Sequence, residues 1–173
     1  MKILFGLLLS FLLILPNYAD AQSSSKSHDL STIDGTIEAL YACISGEKGV
    51  ERDWETFRML FKEGAKLIPA GQNQQGSIGV RYWSPEQYIE GSGPWLVKNG
   101  FFEEEIHRET DIFGPIAHVF STYTSRNTKG GEIIARGINS IQLLNDGERW
   151  WVVNIYWVGE SEGREIPVEY DQN

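Results

Sequence analysis

Residues 136–157 most constrain how this chain folds, because they read as two β-strands on either side of Asp146-Gly147. Asp-Gly suits a tight hairpin turn, in which both central positions favour residues that tolerate positive φ angles. A two-residue turn would place one set of side chains on a common face: Leu143, Trp150, Ile141, Val152, Asn139, Asn154 and Tyr156. Along this face large apolar side chains give way to amides and a tyrosine, as expected where a core opens into a cavity. The hairpin therefore predicts one wall of a pocket.

The order of the remaining elements indicates an α+β domain. Helices are predicted at about residues 31–45, from an N-terminal cap at Asp53 to Gly64, and at residues 84–99. The third helix begins with the capping sequence Ser-Pro-Glu-Gln and is expected to be interrupted near Gly93-Pro94. Strands are predicted at residues 65–69, 101–113, 116–125, 132–144 and 149–158. Helices that mostly precede a run of adjoining strands favour an antiparallel sheet over parallel βαβ units.

The N-terminus has the pattern of a secretory signal peptide. Lys2 precedes an apolar run over residues 3–15, and Ala19-Asp20-Ala21 supplies a cleavage site. The run is shorter than the ~20 apolar residues that cross a bilayer. We therefore expect cleavage after Ala21 and export to the periplasm or the medium, with no membrane attachment afterwards. The predicted organisation is a signal peptide at 1–21, a flexible leader at 22–30, one domain at 31–159 and an acidic tail at 160–173.

Charge and cysteine content narrow the possible partners. The net charge of −9 argues against nucleic acid and anionic membranes, both of which attract clustered Lys and Arg. The glutamates at 103–105 and the acidic tail are expected to form solvated faces. Cys43 is the only cysteine, so an intramolecular disulfide is excluded, and its place beside an apolar helical stripe predicts a buried, unreactive thiol.

Several segments together resemble the nuclear-transport-factor-2-like superfamily, also called SnoaL-like, and within it a group of exported bacterial proteins. These segments are LYACISG (40–46), ERDWETFRMLF (51–61), AKLIP (65–69), FGPIAHVFSTYTSR (113–126) and RGINSIQLLNDGERWW (136–151). The resemblance implies three N-terminal helices packed in the hollow of a strongly bent, mainly antiparallel sheet, a cone-shaped, cystatin-like α+β barrel. The superfamily includes isomerases, dehydratases, epoxide hydrolases and cyclases as well as transport factors and docking modules, so fold alone does not decide function.

Chemistry in such a pocket requires a general acid or base, and the hairpin face offers only amides and Tyr156. On the preceding strand pair, a two-residue turn at Gly114-Pro115 would point Arg108 and Tyr123 inward. Glu105 and His107 would then point outward. A β-bulge would instead turn Glu105 inward, where a salt bridge with Arg108 is favoured over a catalytic role. The weak catalytic candidates are Glu105, His107, Tyr123 and Tyr156.

The expected pocket is aromatic and weakly polar. Its ligand-binding candidates are Tyr41, Trp54, Tyr88, Arg108, Tyr123, Asn139, Asn154 and Tyr156, with Trp83 and Trp95 also expected on the helix side. Such a set suits a flat, mostly apolar molecule that carries one polar or anionic group. The three histidines lack metal-ligand spacing and no phosphate-binding loop is present, so neither a metal nor a cofactor is predicted.

Three functions remain open at this point. The first is a binding domain for a small apolar ligand. The second is a cofactor-independent isomerase, dehydratase or cyclase with Glu105 or His107 as the base, and the third is a protein-interaction module. The resemblance also implies pairing of two subunits through the outer sheet face, and we expect a homodimer. The residues predicted on that face are Ile138, Trp151, Val153, Ile155 and Trp157.

Overall fold

A computed structural model describes residues 28–73 and 75–171, and the predicted signal peptide lies outside them. Within these residues the chain forms three α-helices: α1 (Ile33–Ile44), α2 (Trp54–Leu60) and α3 (Pro85–Asn99). It also forms six strands: β1 (Phe61–Gln72), β2 (Ile78–Val80), β3 (Phe102–Phe113), β4 (Ile116–Arg126), β5 (Ile133–Asn145) and β6 (Trp150–Gly159). None of the helices in the described part of the chain is long and apolar enough to cross a membrane.

The strands form one curled sheet in the order β2-β1-β6-β5-β4-β3. Neighbouring strands are antiparallel except β1 and β6, which pair in parallel. The helices pack against the concave face, as the core residues show: Ile37, Leu40, Phe57 and Leu60 lie in one cluster with Val119, Ile141, Leu143 and Val152. The predicted α+β class and the mainly antiparallel sheet are confirmed.

Local capping chemistry starts each helix. Thr32, one residue after the predicted start of the helix, caps α1 by accepting from the backbone N of Gly35 at 3.0 Å. Ser84 and Gln87 form the predicted capping box on α3. The predicted interruption of α3 is wrong, because the helix continues through Pro94. Gly93 is buried beneath Trp54, whereas Pro94 lies on the exposed side of the helix. The helix therefore continues although proline removes one of its backbone hydrogen bonds.

The second helix is shorter than predicted. It ends at Leu60, and β1 begins at the next residue instead of after Gly64. Phe61 pairs with Val152 of β6, and burial alternates through Ala65 and Leu67, so packing against the sheet favours an extended chain here. Gly64 has φ +83 within the irregular stretch of this pairing. Tertiary contacts thus override the helical pattern.

One buried cation joins the helices. The Arg52 side chain is 4% exposed and donates to five backbone carbonyls. The acceptors lie at the end of α1, in the following loop and in the last turn of α3: Ile44, Gly46, Glu47, Val50 and Leu96. Positive charge is favourable at helix C-termini, where carbonyl groups lack helical partners. Arg52 therefore holds the ends of two helices together.

The register predicted for the β5–β6 hairpin is wrong. Asn145 pairs with Trp150 across a four-residue loop, in which the Asp146 side chain accepts from the backbone N of Glu148 and Arg149. A bulge at Val153 then shifts the register. Because side chains alternate along a strand, one extra residue moves every later side chain to the opposite face.

This bulge reverses the predicted positions of four residues. Asn154 lies on the outer face, where its Nδ2 donates to Gln142 Oε1 at 2.8 Å, and Tyr156 is exposed. Ile155 and Trp157 instead face inward and line the cavity described below. Asn154 and Tyr156 are therefore not pocket residues, and Ile155 and Trp157 are not part of an outer patch.

Residues 160–171 pack on the outer face of the sheet. The Tyr170 ring contacts Phe120 edge-on at 5.0 Å between centroids, and its carbonyl accepts from Thr122 Oγ1 at 2.8 Å. Arg136 forms ion pairs with Glu160 and Asp171 at either end of this segment. The acidic tail was expected to form a solvated face, yet Tyr170 within it shields the part of the outer face around Thr122.

Candidate functional site

A cavity of about 510 Å³ lies between the helices and the concave face of the sheet. Its walls are mostly apolar, with side chains from all three helices and from β1, β3, β4, β5 and β6. Tyr88 stacks on Phe57 at 5.4 Å and meets the edge of Trp157 at 6.5 Å, so aromatic packing holds this wall in place. Gly91, Ser92 and the half-exposed Trp95 lie on α3 and also line the cavity.

Polar groups gather at one part of this cavity. Glu103 of β3 accepts from Ser125 Oγ of β4 at 3.0 Å between Oγ and Oε2. Tyr123 and the largely buried Asn139 complete the polar lining together with Tyr41 of α1. The backbone of Glu103 is held by Ser45, whose Oγ accepts from its N–H at 3.0 Å. An apolar chamber therefore contains one acidic group surrounded by hydroxyls and an amide.

Burial raises the pKa of Glu103 to about 7, because the ionised carboxylate loses hydration inside the cavity. Hydrogen bonding from Ser125 and Asn139 opposes this effect by stabilising the charged form. A carboxyl group that titrates near neutral pH can either accept or donate a proton under ordinary conditions. Glu103 is therefore the group in this cavity best suited to proton transfer.

The tyrosines around Glu103 remain neutral hydroxyls. Burial is the largest cause that raises the pKa of Tyr41, Tyr88 and Tyr123, and the negative charge of Glu103 raises each further. The Tyr123 ring lies directly against Gly137, where a Cβ atom would stand 2.5 Å from the Tyr123 hydroxyl. Gly137 thus makes room for this ring in the cavity wall.

A bulge in β3 decides which acidic residues face inward. The pairing of β3 with β4 shifts between Glu105 and His107, so Glu105 lies opposite Tyr123 on the inner side. Its carboxylate binds Arg108 through Nε and Nη2, with the shortest distance 2.5 Å. The alternative expectation of an inward Glu105 paired with Arg108 is confirmed. His107 lies on the outer face opposite Thr122.

The structure places four of the predicted ligand-binding residues in the cavity wall: Tyr41, Tyr88, Tyr123 and Asn139. Trp95 also lines it, whereas Trp54 packs edge-on against Phe57 behind the wall. Arg108 is engaged by Glu105 and by Asp34, whose Oδ1 accepts from Nη1 at 2.5 Å. Arg108 is therefore not a cavity cation.

Sequence reasoning missed Glu103. It was included in a run of three glutamates expected to be solvated. Glu103 and Glu105 are two residues apart, so the bulge that turns one inward turns the other inward as well. A β-bulge was already considered as a way to turn Glu105 inward. Applying the same bulge to Glu103 would have placed that residue in the cavity as well.

Metal-binding clusters and the Cys43 thiol were the other possible sources of chemistry in this domain. In residues 28–73 and 75–171, no group of three or more His, Cys, Asp or Glu side chains is placed to hold a metal ion. The predicted burial of Cys43 is confirmed, with Sγ donating to the Leu40 carbonyl at 3.1 Å. Burial raises the pKa of this thiol and disfavours its reactive thiolate form.

No protein-family model matches this chain, and no curated protein matches it significantly. Solved structures do share its architecture. A protein of unknown function from Mycobacterium tuberculosis aligns with a TM-score of 0.59 at 14% identity, over 79% of this chain and 75% of that one. A protein with a cystatin-like fold from Nostoc punctiforme gives 0.56 at 12% identity, over 74% and 88%. A proposed dehydratase of the NTF2-like family from Streptomyces avermitilis gives 0.55 at 11% identity, over 76% and 96%.

Proposed function

We propose that this chain, which has the fold of the NTF2-like superfamily, binds a small, mostly apolar molecule in its internal cavity. The observation that carries this proposal is the cavity itself, about 510 Å³ with apolar and aromatic walls and polar groups gathered around Glu103. Ligand sites of small molecules have this composition, since apolar walls supply affinity and a few polar groups fix orientation. The N-terminal pattern supports the further proposal that the domain works after export.

The charges around the cavity favour a neutral ligand. The sequence is compatible with an anionic group on the ligand, because it predicts Arg108 in the pocket. In the structure, however, the Arg108 guanidinium forms ion pairs with Glu105 and Asp34. A carboxylate brought next to Glu103 would meet a like charge, whereas a ligand hydroxyl, amine or carbonyl can form a hydrogen bond with it. We therefore propose a flat apolar ligand with one uncharged hydrogen-bonding group.

Binding is tested with N-phenyl-1-naphthylamine, a flat, neutral amine whose fluorescence rises in apolar surroundings. Gly91 lines the cavity on α3 and has nothing within 4 Å of a Cβ position, so a larger side chain fits there without a backbone clash. We expect Gly91→Phe to weaken probe binding about tenfold or more, roughly 1.4 kcal/mol, because the ring takes space at the cavity wall. Fluorescence titration measures the dissociation constant.

Gly91→Ala is the matched control, because it changes the same helical position and adds only a methyl group. It should bind the probe like the wild type. Equal affinities for Gly91→Phe and the wild type, or no saturable binding to either, would rule out this cavity as the site.

Acid–base catalysis is the second candidate, and the pKa of Glu103 near 7 favours it. A cofactor-independent isomerase, dehydratase or cyclase needs a base that is partly ionised at neutral pH and close to a bound substrate. Glu103 meets both requirements and replaces Glu105 and His107 as the candidate base. Tyr123 is the neighbouring hydroxyl that lines the cavity and could donate to a developing oxyanion.

We also propose that two copies of the chain associate through the outer sheet face. Apolar side chains remain exposed on this face at the tip of the β3–β4 hairpin and beside it on β6: Phe113, Ile116 and Val153. Phe113 is 84% exposed. Monomers rarely leave contiguous apolar patches in water, and a two-fold interface buries the same patch on both subunits.

The Phe113→Glu variant tests this association. We expect the wild type to sediment as a dimer at micromolar concentration and Phe113→Glu to sediment as a monomer, because a charge in an apolar interface loses hydration without a partner. Val50→Glu, at an exposed valine between α1 and α2, is the control and should stay dimeric. A monomeric wild type would exclude the proposal.

A further inference from the structure

A chain of hydrogen bonds connects the Glu105–Arg108 ion pair to the cavity. Ser121 Oγ donates to Glu105 Oε1 at 2.5 Å, and the same Oγ lies 2.7 Å from the Tyr41 hydroxyl oxygen. Asn139 Nδ2 then donates to that hydroxyl at 3.0 Å. Ser121, Tyr41 and Asn139 are each at most 7% exposed, so water does not compete freely for these bonds. The chain runs from an ion pair behind the cavity to an amide in its wall.

The direction of each bond follows from proton counting. Glu105 is the carboxylate of an ion pair and can only accept hydrogen bonds, so the Ser121 hydroxyl donates its single proton to Glu105. The bond between Ser121 and Tyr41 then requires the tyrosine proton. Tyr41 has none left to give to Asn139, which must therefore present its nitrogen, not its oxygen. The orientation of the amide is set by a carboxylate three hydrogen bonds away.

We propose that Glu105 and Ser121 are positioning residues that act through Tyr41 to hold the Asn139 amide with its nitrogen toward the Glu103 carboxyl group. An amide nitrogen there stabilises ionised Glu103, whereas an amide oxygen would favour the protonated acid. The inference rests on the proposed function for the use of Glu103, but its test requires no ligand.

Few charged groups near Glu103 can change when this series of hydrogen bonds is broken. The titratable side chains that interact with Glu103 from the surrounding elements are Tyr41 of α1, Tyr88 of α3 and Tyr123 of β4, all neutral at pH 7. Glu105 and Arg108 lie on the same strand as Glu103, and the three hydrogen bonds of their ion pair do not involve Ser121. Ser121→Ala therefore breaks the series of hydrogen bonds between Glu105 and Asn139 without removing or adding a charged group.

The experiment is an NMR pH titration of protein labelled with ¹³C at the glutamate carboxyl carbons. The Glu103 resonance is assigned by its absence from Glu103→Gln. In Ser121→Ala the Tyr41 proton loses its acceptor and turns to Asn139, whose amide reverses. We expect the pKa of Glu103 to rise by about one pH unit above its wild-type value, since one hydrogen bond to the carboxylate is lost.

Two further variants separate this role from a simple packing effect. Ser121→Thr retains a hydroxyl and should keep the wild-type titration. Adding Tyr41→Phe to Ser121→Ala removes the competing donor, so the pKa of Glu103 should return toward the wild-type value. An unchanged or lowered pKa in Ser121→Ala, or a further rise in the double variant, would overturn the proposal. Loss of probe binding with these shifts intact would instead contradict only the proposed function.

Discussion

Replacement of Arg52 by methionine is expected to lower the free energy of unfolding by about 3–5 kcal/mol. The guanidinium donates to the buried carbonyls of Ile44 and Leu96 at 2.9 and 2.7 Å and to three further carbonyls in the intervening loop. Methionine fills similar space but donates to none of them, so at least two buried acceptors lose charged hydrogen bonds. Urea denaturation followed by tryptophan fluorescence measures the change.

Two variants show whether the loss comes from these bonds. Arg52→Lys keeps the charge but cannot reach acceptors in five directions, so it should lie between the wild type and Arg52→Met. Arg58 is exposed and bonds Glu86, and Arg58→Met should lower the free energy of unfolding far less than Arg52→Met, because water screens a surface ion pair. Equal stability of Arg52→Met and Arg58→Met would show that the buried guanidinium does not join the helix ends.

Glu103→Gln is expected to remove a pH-dependent loss of stability. The pKa of Glu103 is about 7 in the folded protein, against about 4.5 for an ordinary glutamate. Between these values the folded state retains a proton that the unfolded state releases, so folding is favoured at low pH and weakened as the pH rises. The penalty is complete above pH 7 and amounts to about 3 kcal/mol. The variant should therefore exceed the wild type in stability at pH 8.

The stability difference between variant and wild type, measured from pH 4 to pH 8, is the quantity that checks this expectation. Glu104→Gln is the matched control, because its neighbouring carboxylate points outward to Arg126 at 3.0 Å. It should show no comparable gain at high pH. A Glu103→Gln difference that stays constant with pH would mean that the acid is not desolvated in the cavity.

The same variant tests the enzymatic candidate. If Glu103 is the general base, Glu103→Gln should reduce turnover about 10²-fold or more on a substrate that the wild type converts, because an amide cannot accept the proton. Retained probe binding with lost turnover would place the defect in proton transfer. Unchanged turnover would exclude Glu103 as the base.

Features that depend on neighbouring residues in sequence could be predicted. The capping box of Ser84 and Gln87 formed as expected, since its hydrogen bonds close within four residues. The turn at Gly114-Pro115 and the ends of β3, β4, β5 and β6 lie within about two residues of their predicted positions. The α+β class followed from the order of these elements, and the mainly antiparallel sheet was expected from the same order.

Features that depend on the curvature and pairing of the sheet could not be placed in advance. Alternation along a strand predicts which residues share a face, but it does not say where a bulge resets the count. The bulge between Glu105 and His107 turned two glutamates inward, and the bulge at Val153 sent Asn154 and Tyr156 outward.

The sequence by itself determined most elements of this protein, their order and the aromatic character of its cavity, because these follow from local hydrogen bonding and periodic burial. The short strand β2 and the point where α2 gives way to β1 were not among them. The tertiary structure alone decided that Glu103 lies in the cavity, that Arg108 does not, and that Arg52 is buried among carbonyls. Each of these depends on a register shift or on chain segments brought together from distant positions. Neither the position of a register shift nor a contact between distant segments can be predicted from the local pattern of residues.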